Sequence, residues 1–341
     1  MVLAAACASS SASPGGKVAS TTTTGAAATA GTLRLGFYPN ITHGAALIGV
    51  KEGIFAKALG AGVTLKTQTF NAGPAEVQAL FSGALDAGYM GSGPAVNAFA
   101  QSHGTAITVI SGAASGGAEL VVKPSITSAA ALKGKKLASP QLGNTQDVAL
   151  RYWLKTQGLS TDTQGGGDVS IEPQDNATAL LAFRSGAIDG GWEPEPFASE
   201  MVAAGGRVLV DERSLWPGGK FATTLLVVRT QYLKEHPDVV KALLRGQVQA
   251  NDFVNANPSQ ARADVSAEID DITGKPLAPS VVADAWTGIT FTDDPLSSSI
   301  QAAADHAVAV GIGKKVDLAG LVNVSLLNQV LQAAGEPPVG S

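Results

Sequence analysis

The chain carries a single cysteine, Cys7, in 341 residues. That excludes an intramolecular disulfide and a cysteine-rich metal site. Its four histidines are scattered along the sequence, so no metal-binding cluster is expected and no cofactor is implied. Charge is scarce as well: 15% of residues are charged and the net charge is −5. A nucleic-acid binder needs a basic stripe to neutralise phosphates, so no nucleic-acid partner is expected. No run of 18 apolar residues occurs, which argues against a transmembrane helix. What the chain does have is 45% apolar residues at low net charge, the opposite of the disorder signature. The length suits about two domains.

Near the start, Leu3-Ala4-Ala5-Ala6-Cys7 is followed by a Ser-rich and Thr-rich tract. This resembles a bacterial lipobox, in which the cysteine is lipidated. The leucine stands four places before the cysteine rather than three, and a basic region and a full apolar region are missing. Residues 1–31 are therefore expected to be a truncated signal and lipobox followed by a flexible tether. The protein would then lie outside the cytoplasm in the cell envelope, periplasmic or lipid-anchored through Cys7 to the outer face of the cytoplasmic membrane.

One unit occurs twice. Ser82-Gly83-Ala84-Leu85-Asp86-Ala87-Gly88-Tyr89 matches Ser185-Gly186-Ala187-Ile188-Asp189-Gly190-Gly191-Trp192. Each copy follows a helix-like stretch, Ala75–Phe81 and Ala177–Phe183; glycine ends the helix and a short strand follows. Upstream, Leu33–Phe37 and Lys136–Ala138 read as strands, and Gly44–Leu59 and Thr145–Gln157 as helices. Strands alternating with helices at this spacing imply βαβ units and a mainly parallel, helix-flanked sheet in each copy. Val121-Val122 reads as the strand that ends the first lobe, with the boundary near Lys123-Pro124-Ser125. Phe221–Arg229 is a β-rich run that returns the chain to it. Lobe one is thus expected over 32–122 and 223–341, and lobe two over 123–222.

With these residues in hand, the chain resembles the periplasmic substrate-binding proteins of ABC importers for aliphatic sulfonates, taurine and nitrate. The markers are Leu35-Gly36-Phe37-Tyr38, Ala72-Gly73-Pro74, Ser82–Asp86, Leu132–Lys136, Gly143-Asn144-Thr145 and Trp192-Glu193-Pro194. Their order along the chain is more specific than any one of them. The resemblance implies a two-lobed α/β clamshell of the type II periplasmic-binding-protein kind. It also implies a small anionic solute in the interlobe cleft, a monomer, and membrane permease subunits as partners.

In open α/β sheets, ligands bind beyond the carboxyl ends of the strands. That rule selects Tyr38, Asn40, Thr42 and His43 in one loop and Gly91 and Ser92 in a second. It also selects Gln141, Gly143, Asn144 and Thr145 in a third loop, and Trp192 and Glu193 in a fourth. Ser115 and Gly116 form a further candidate. The Thr42 and Asn144–Thr145 loops each open a helix, whose free N–H groups suit an anion; simple N-capping is the competing account. Asp147 in the first turn of the second helix counts against an anion there. None of these loops contains arginine, which favours a monoanion such as a sulfonate over a dicarboxylate. Trp192 would offer an apolar wall, or would fill the core. Glu193 or Glu195 would hold a ligand amine, or lie on a solvated rim. The competing functions are a binder of a thiamine-pyrimidine precursor or other small nitrogenous solute, and an enzyme on the same scaffold using Glu193 or Glu195. No nucleophile–base–orienter set is visible for the latter, so a binding protein rather than an enzyme is expected.

Overall fold

The computed structural model describes residues 31–340; Cys7 and the expected lipobox lie outside the described residues. The first part of the chain runs β1 (Gly31–Phe37), α1 (Gly44–Lys51), α2 (Ile54–Leu59), β2 (Val63–Thr69), α3 (Gly73–Phe81), β3 (Ala87–Met90), α4 (Ser92–Gln101) and β4 (Ile107–Gly116). The second runs β5 (Ala118–Val122), β6 (Lys136–Ser139), α5 (Thr145–Thr156), β7 (Ser170–Pro173), α6 (Asn176–Ser185), β8 (Gly190–Pro194), α7 (Phe197–Ala203) and β9 (Arg207–Asp211). The third runs β10 (Ala222–Arg229), α8 (Thr230–Glu235), α9 (Pro237–Ala256), α10 (Pro258–Thr273), α11 (Pro279–Thr287), β11 (Ile289–Phe291), α12 (Ser297–Ala309) and α13 (Ser325–Ala334). The single helix expected over Gly44–Leu59 is two helices, because Gly53 takes a left-handed conformation (φ 65°) between them.

The strands form two sheets of matching order, β2-β1-β3-β10-β4 with β11 on one edge, and β7-β6-β8-β5-β9. In each, the strands of the local βαβ units run the same way, and one strand is inserted antiparallel: β10 between β3 and β4, and β5 between β8 and β9. The sheets are therefore mixed, and each lobe takes its antiparallel strand from a stretch adjoining the other lobe.

The repeat seen in the sequence explains the match. Asp86 and Asp189 play the same part in the two lobes. The Asp86 carboxylate accepts the Arg34 N–H in the middle of β1, and that of Asp189 accepts the Lys136 N–H at the start of β6. The Asp86 carbonyl accepts from Arg229 and the Asp189 carbonyl from Lys123, tying the inserted strands β10 and β5 into register. Gly83 (φ 74°) and Gly186 (φ 81°) stop the preceding helices in conformations that a side chain rarely adopts.

The expected boundary needs a correction. β5, read from sequence as the last strand of lobe one, pairs with β8 and β9 in the second sheet. The chain changes lobes at Gly116-Gly117, both at positive φ (78° and 74°). A Cβ on Gly116 would lie 2.3 Å from the Gly288 carbonyl oxygen, so this crossing is built for glycine. The second crossing is the segment between β9 and β10. Helices cover both faces of each sheet. In lobe one, α9 packs on α1, α2 and α13 around Leu33, Leu35, Phe55, Leu243 and Leu244, all fully buried.

Candidate functional site

The carboxyl ends of the two sheets face each other across the crossings. Lobe one contributes the loops after β1, β2 and β3, and lobe two those after β6, β7 and β8. The lobes touch along this line. Ile41 N–H donates to the Glu195 carbonyl at 3.0 Å. Gly93 N–H donates to Thr145 Oγ1 at 3.2 Å, and Asn71 Nδ2 donates to Asp175 Oδ2 at 3.2 Å. At one end Tyr152 of α5 stacks on His306 of α12 with ring centroids 3.6 Å apart, and Lys155 Nζ donates to the Ala309 carbonyl beside them. These contacts describe a closed clamshell.

Inside it lies a cavity of about 20 Å³ lined by Tyr38, Asn40, Thr42, His43, Asn71, Gly91, Asn144, Thr145, Gln146, Asn176, Pro194 and Thr223. The lining is polar and contains no Lys, Arg, Asp or Glu. Seven of the expected residues meet here: Tyr38, Asn40, Thr42, His43, Gly91, Asn144 and Thr145. Five others, Asn71, Gln146, Asn176, Pro194 and Thr223, were not expected. Asn71 and Asn176 follow β2 and β7, strand ends to which the carboxyl-end rule applies equally.

Helix N-termini converge on the cavity. The first N–H groups of an α-helix have no partner within it, and α4 and α5 start face to face here. A Cβ on Gly93 would lie 3.0 Å from the Thr145 nitrogen, so glycine permits this approach. Asn144 is the N-cap of α5, yet its side chain makes no capping bond to the helix; its Nδ2 donates to Gln146 Oε1 at 3.2 Å. The capping account of Asn144 is therefore not what the structure shows. Asp147 does not compete for the dipole as a free charge. Its carboxylate accepts from Arg151 Nε at 3.0 Å, from Ser139 Oγ at 2.8 Å and from Gly143 N–H at 2.9 Å. Arg151 is itself buried, so the pair is neutral as a unit.

Neutral donors are kept neutral by burial. Burial holds the His43 imidazole down to about 3. Its Nδ1 accepts the Tyr38 N–H at 3.3 Å, which puts the remaining proton on Nε2 as a donor. Tyr38 Oη donates to Glu76 Oε2 at 2.7 Å, and burial together with that carboxylate pushes the phenol well up. Burial also pushes Glu76 up to about 8, against hydrogen bonds from Tyr38 and the Tyr89 backbone. At neutral pH this acid beneath the cavity is uncharged. It fits between β1 and β3 because Gly36 and Gly88 leave the space; a Cβ on Gly88 would lie 2.1 Å from Glu76 Oε1.

The other expected residues lie elsewhere. Trp192 is fully buried in β8, with Nε1 donating to Glu212 at 2.7 Å and its ring near Trp153; it fills the core of lobe two. Glu193 is also fully buried and does not line the cavity; strand alternation puts it on the face of the sheet opposite Trp192. The expected solvated rim at Glu193 and Glu195 is not found, since Glu195 is buried and its carboxylate accepts from Ser199 N–H and Oγ. Neither is placed to hold a ligand amine in the cavity. Ser115 Oγ accepts from Phe221 N–H, and the Gly116 carbonyl accepts from Thr223 Oγ1, so both brace the crossing. Ser92 lies in a neighbouring recess beside Thr145 and Phe221. Gln141 is exposed and offers its carbonyl to Asn144 N–H. Gly143 shapes the turn at φ 77°.

A family model described as NMT1-like matches residues 26–269. The chain belongs to the NMT1-like family. It is 30% identical over 216 residues to the taurine-binding periplasmic protein of Escherichia coli, covering 62% of this chain and 64% of that one. A Bacillus subtilis protein named for aliphatic sulfonate binding is 25% identical over 307 residues, 88% of each chain. A binding protein of Brucella abortus is 31% identical over 209 residues, 61% of this chain; the match spans 62% of that relative's length. Among solved structures, the alkanesulfonate-binding protein SsuA of Xanthomonas axonopodis bound to MOPS superimposes with a TM-score of 0.71 at 21% identity, covering 87% of this chain and 99% of that one. The nitrate-binding protein NrtA of Synechocystis gives 0.73 at 17% identity, covering 90% and 89%. The fold of this NMT1-like chain is thus that of the periplasmic binding proteins.

Proposed function

We propose that this chain is the extracytoplasmic solute-binding component of an ABC importer and that its lobes close on a small organic oxyanion, of the sulfonate kind, for delivery to a membrane permease. The observation that carries the reading is the cavity itself: facing helix N-termini and neutral donors, with no side-chain charge of either sign in its lining. Such a site matches one negative charge without the desolvation cost of a buried counter-ion. The names of the relatives in Escherichia coli and Bacillus subtilis support the same solute class. Closure follows from the ligand touching both lobes, with the change absorbed at Gly116-Gly117.

A thermal-shift screen of methanesulfonate, taurine, nitrate and an aminopyrimidine tests this, because a ligand that binds only the folded state raises its melting temperature. A sulfonate is expected to give a shift of several degrees at millimolar concentration. A response to the neutral aminopyrimidine alone would overturn the anion reading. Anchoring through Cys7 rests on Leu3–Cys7. Radiolabelled palmitate fed to cells expressing the full-length gene product should label it, and Cys7→Ala should remove the label. Equal labelling of the two would rule the anchor out.

A further inference from the structure

The lobes also meet away from the solute cavity, along α12. This helix packs on α4 and β10 of lobe one and on α5 of lobe two. Its His306 lies between two aromatic rings from outside lobe one. Tyr152 of α5 stacks on it, with centroids 3.6 Å and planes 12° apart. Trp216, on the second crossing, has its ring centroid 5.6 Å away at 42°. Trp216 stacks in turn on Phe221, centroids 5.5 Å apart, where the chain enters β10. All three of Tyr152, His306 and Trp216 are half-buried, and none lines the solute cavity. Thr145 joins the two places: it lines that cavity and also a small recess bounded by Trp216 and His306. Because α12 and α5 belong to different lobes, the Tyr152–His306 stack exists only while the lobes are closed.

We propose that Tyr152, His306 and Trp216 form a latch: neutral His306, clasped between the two rings, holds the lobes closed without touching the solute, and protonation of its imidazole releases them. The latch rests on the closure of two lobes and not on which solute is bound. Stacked aromatic rings attract beyond the area they bury, so each closed molecule gains this contact and each open one loses it. The apparent affinity for any solute then changes with the closed population, by the same factor for all. Burial holds the His306 imidazole below its ordinary value, against the pull of Asp305. Opening frees its face to water, where it takes up a proton near pH 6.5. The latch is therefore fully made above about pH 6.5 and weakens as the pH falls. The charged and titratable groups around it are Asp305 on α12, Tyr152 and Lys155 from α5, and Glu212 from the crossing. Burial pushes Glu212 up to about 7, so below pH 6.5 it is mostly protonated and does not hold an imidazolium in place. Lys155, bonded to the Ala309 carbonyl beside the stack, repels one. α4 carries no charged residue, Arg229 of β10 lies against Gly83 at the far end of its strand, and Lys314 and Lys315 after α12 are exposed.

Titration calorimetry with methanesulfonate and with taurine at pH 7.5 and 5.5 tests this. At pH 7.5, His306→Ala should weaken both by about threefold to tenfold, the worth of one aromatic pair, and by the same factor. Tyr152→Ala should do likewise, and the double variant should be little worse than either single one, because each removes the same stack. Acidification to pH 5.5 should weaken binding by the unaltered protein, by at most about tenfold for one proton taken up on opening. His306→Phe keeps a flat ring that does not titrate: it should restore the pH 7.5 affinity lost in His306→Ala and flatten the dependence on pH. Unchanged affinity in His306→Ala overturns the latch, as does a pH dependence that is absent, reversed or the same in His306→Phe. Should neither solute bind the unaltered protein, the oxyanion reading fails and the ligand-free protein decides the latch. Spin labels at Asn97 and Gln157, one on each lobe and both exposed, should then show a larger short-distance fraction in the unaltered protein than in His306→Ala. Identical distributions overturn it.

Discussion

Replacing Asn144 by Ala and Thr145 by Val together is expected to weaken sulfonate binding by about a hundredfold or more while the protein stays folded. A hydrogen bond to a charged group contributes about 1.5–3 kcal/mol, and two such losses reach that range even at the low end. Both residues sit at the N-terminus of α5 and line the cavity, so the variant removes side-chain donors and leaves the helix dipole in place. The fold should tolerate it, because the Asn144 side chain does not cap the helix. Thr145 Oγ1 accepts the Gly93 N–H across the lobes, so part of the loss should come from a less stable closed state. Gln141→Ala is the matched control: the side chain is exposed and only its carbonyl bonds Asn144, so affinity should stay within about twofold. Calorimetry on both variants, with circular dichroism as the folding check, decides the matter. Unchanged affinity in the double variant would mean that the oxyanion lies elsewhere.

The second large effect is on stability against pH. Burial pushes Glu76 up to about 8, and Glu119, Glu195 and Glu212 up to about 7 each; Glu193 is pushed well up by the same cause. Each of these acids ionises more readily in the unfolded chain, near its ordinary value, than in the folded one. The stability they contribute is therefore fully present below about pH 4.5 and is lost as the pH rises through the folded values. His43, held down to about 3 by burial, acts in the opposite sense: its contribution is present above about 6.5 and lost as the pH falls. Between pH 6.5 and 9 the buried carboxylates dominate, so the melting temperature should fall across that interval, most steeply below pH 8. Glu76 alone contributes on the order of 2 kcal/mol between pH 6.5 and 8, and Glu76→Gln should flatten the slope. A melting temperature that is level or rises from pH 6.5 to 9 would contradict the buried, protonated state of these acids. The same titration bears on binding. Ionised Glu76 would put a negative charge behind Tyr38, so sulfonate affinity should drop above pH 8 in the native protein and hold in Glu76→Gln.

Much of the architecture could be read from one feature, the Ser82–Tyr89 and Ser185–Trp192 repeat. It was legible because each copy carries residues with fixed backbone duties: a glycine that must stop a helix at positive φ, and an aspartate that must anchor the first strand of its lobe. The lobe boundary was not legible. Ala118–Val122 is a short apolar strand, and such a strand suits the middle of either sheet; only its pairing with β8 and β9 assigns it. In the site, the loops that open helices were found because small polar residues before an amphipathic stretch are a local signal. Trp192 and Glu193 were placed in a loop, with core filling left open for Trp192, whereas β8 runs on through Pro194. Once that strand is extended, alternation sends the two side chains to opposite faces of the sheet. Asn176 and Thr223 depend on long-range geometry. The first opens α6 in lobe two and the second sits on β10, the strand that returns from the other lobe. The buried Arg151 that neutralises Asp147 lies one helical turn away on α5, a spacing that the i, i+4 rule could have flagged.

The central claim is that two hinged lobes close on an oxyanion gripped by neutral donors from both. Spin labels at Asn97 on α4 and Gln157 just after α5, both exposed, placed in a Cys7→Ser background, report the separation of the lobes by pulsed electron resonance. Saturating alkanesulfonate should convert a broad, longer distance distribution into a single narrow, shorter one, and the Asn144→Ala/Thr145→Val variant should need far more ligand to do so. A distribution that stays the same while calorimetry registers bound sulfonate would contradict the account.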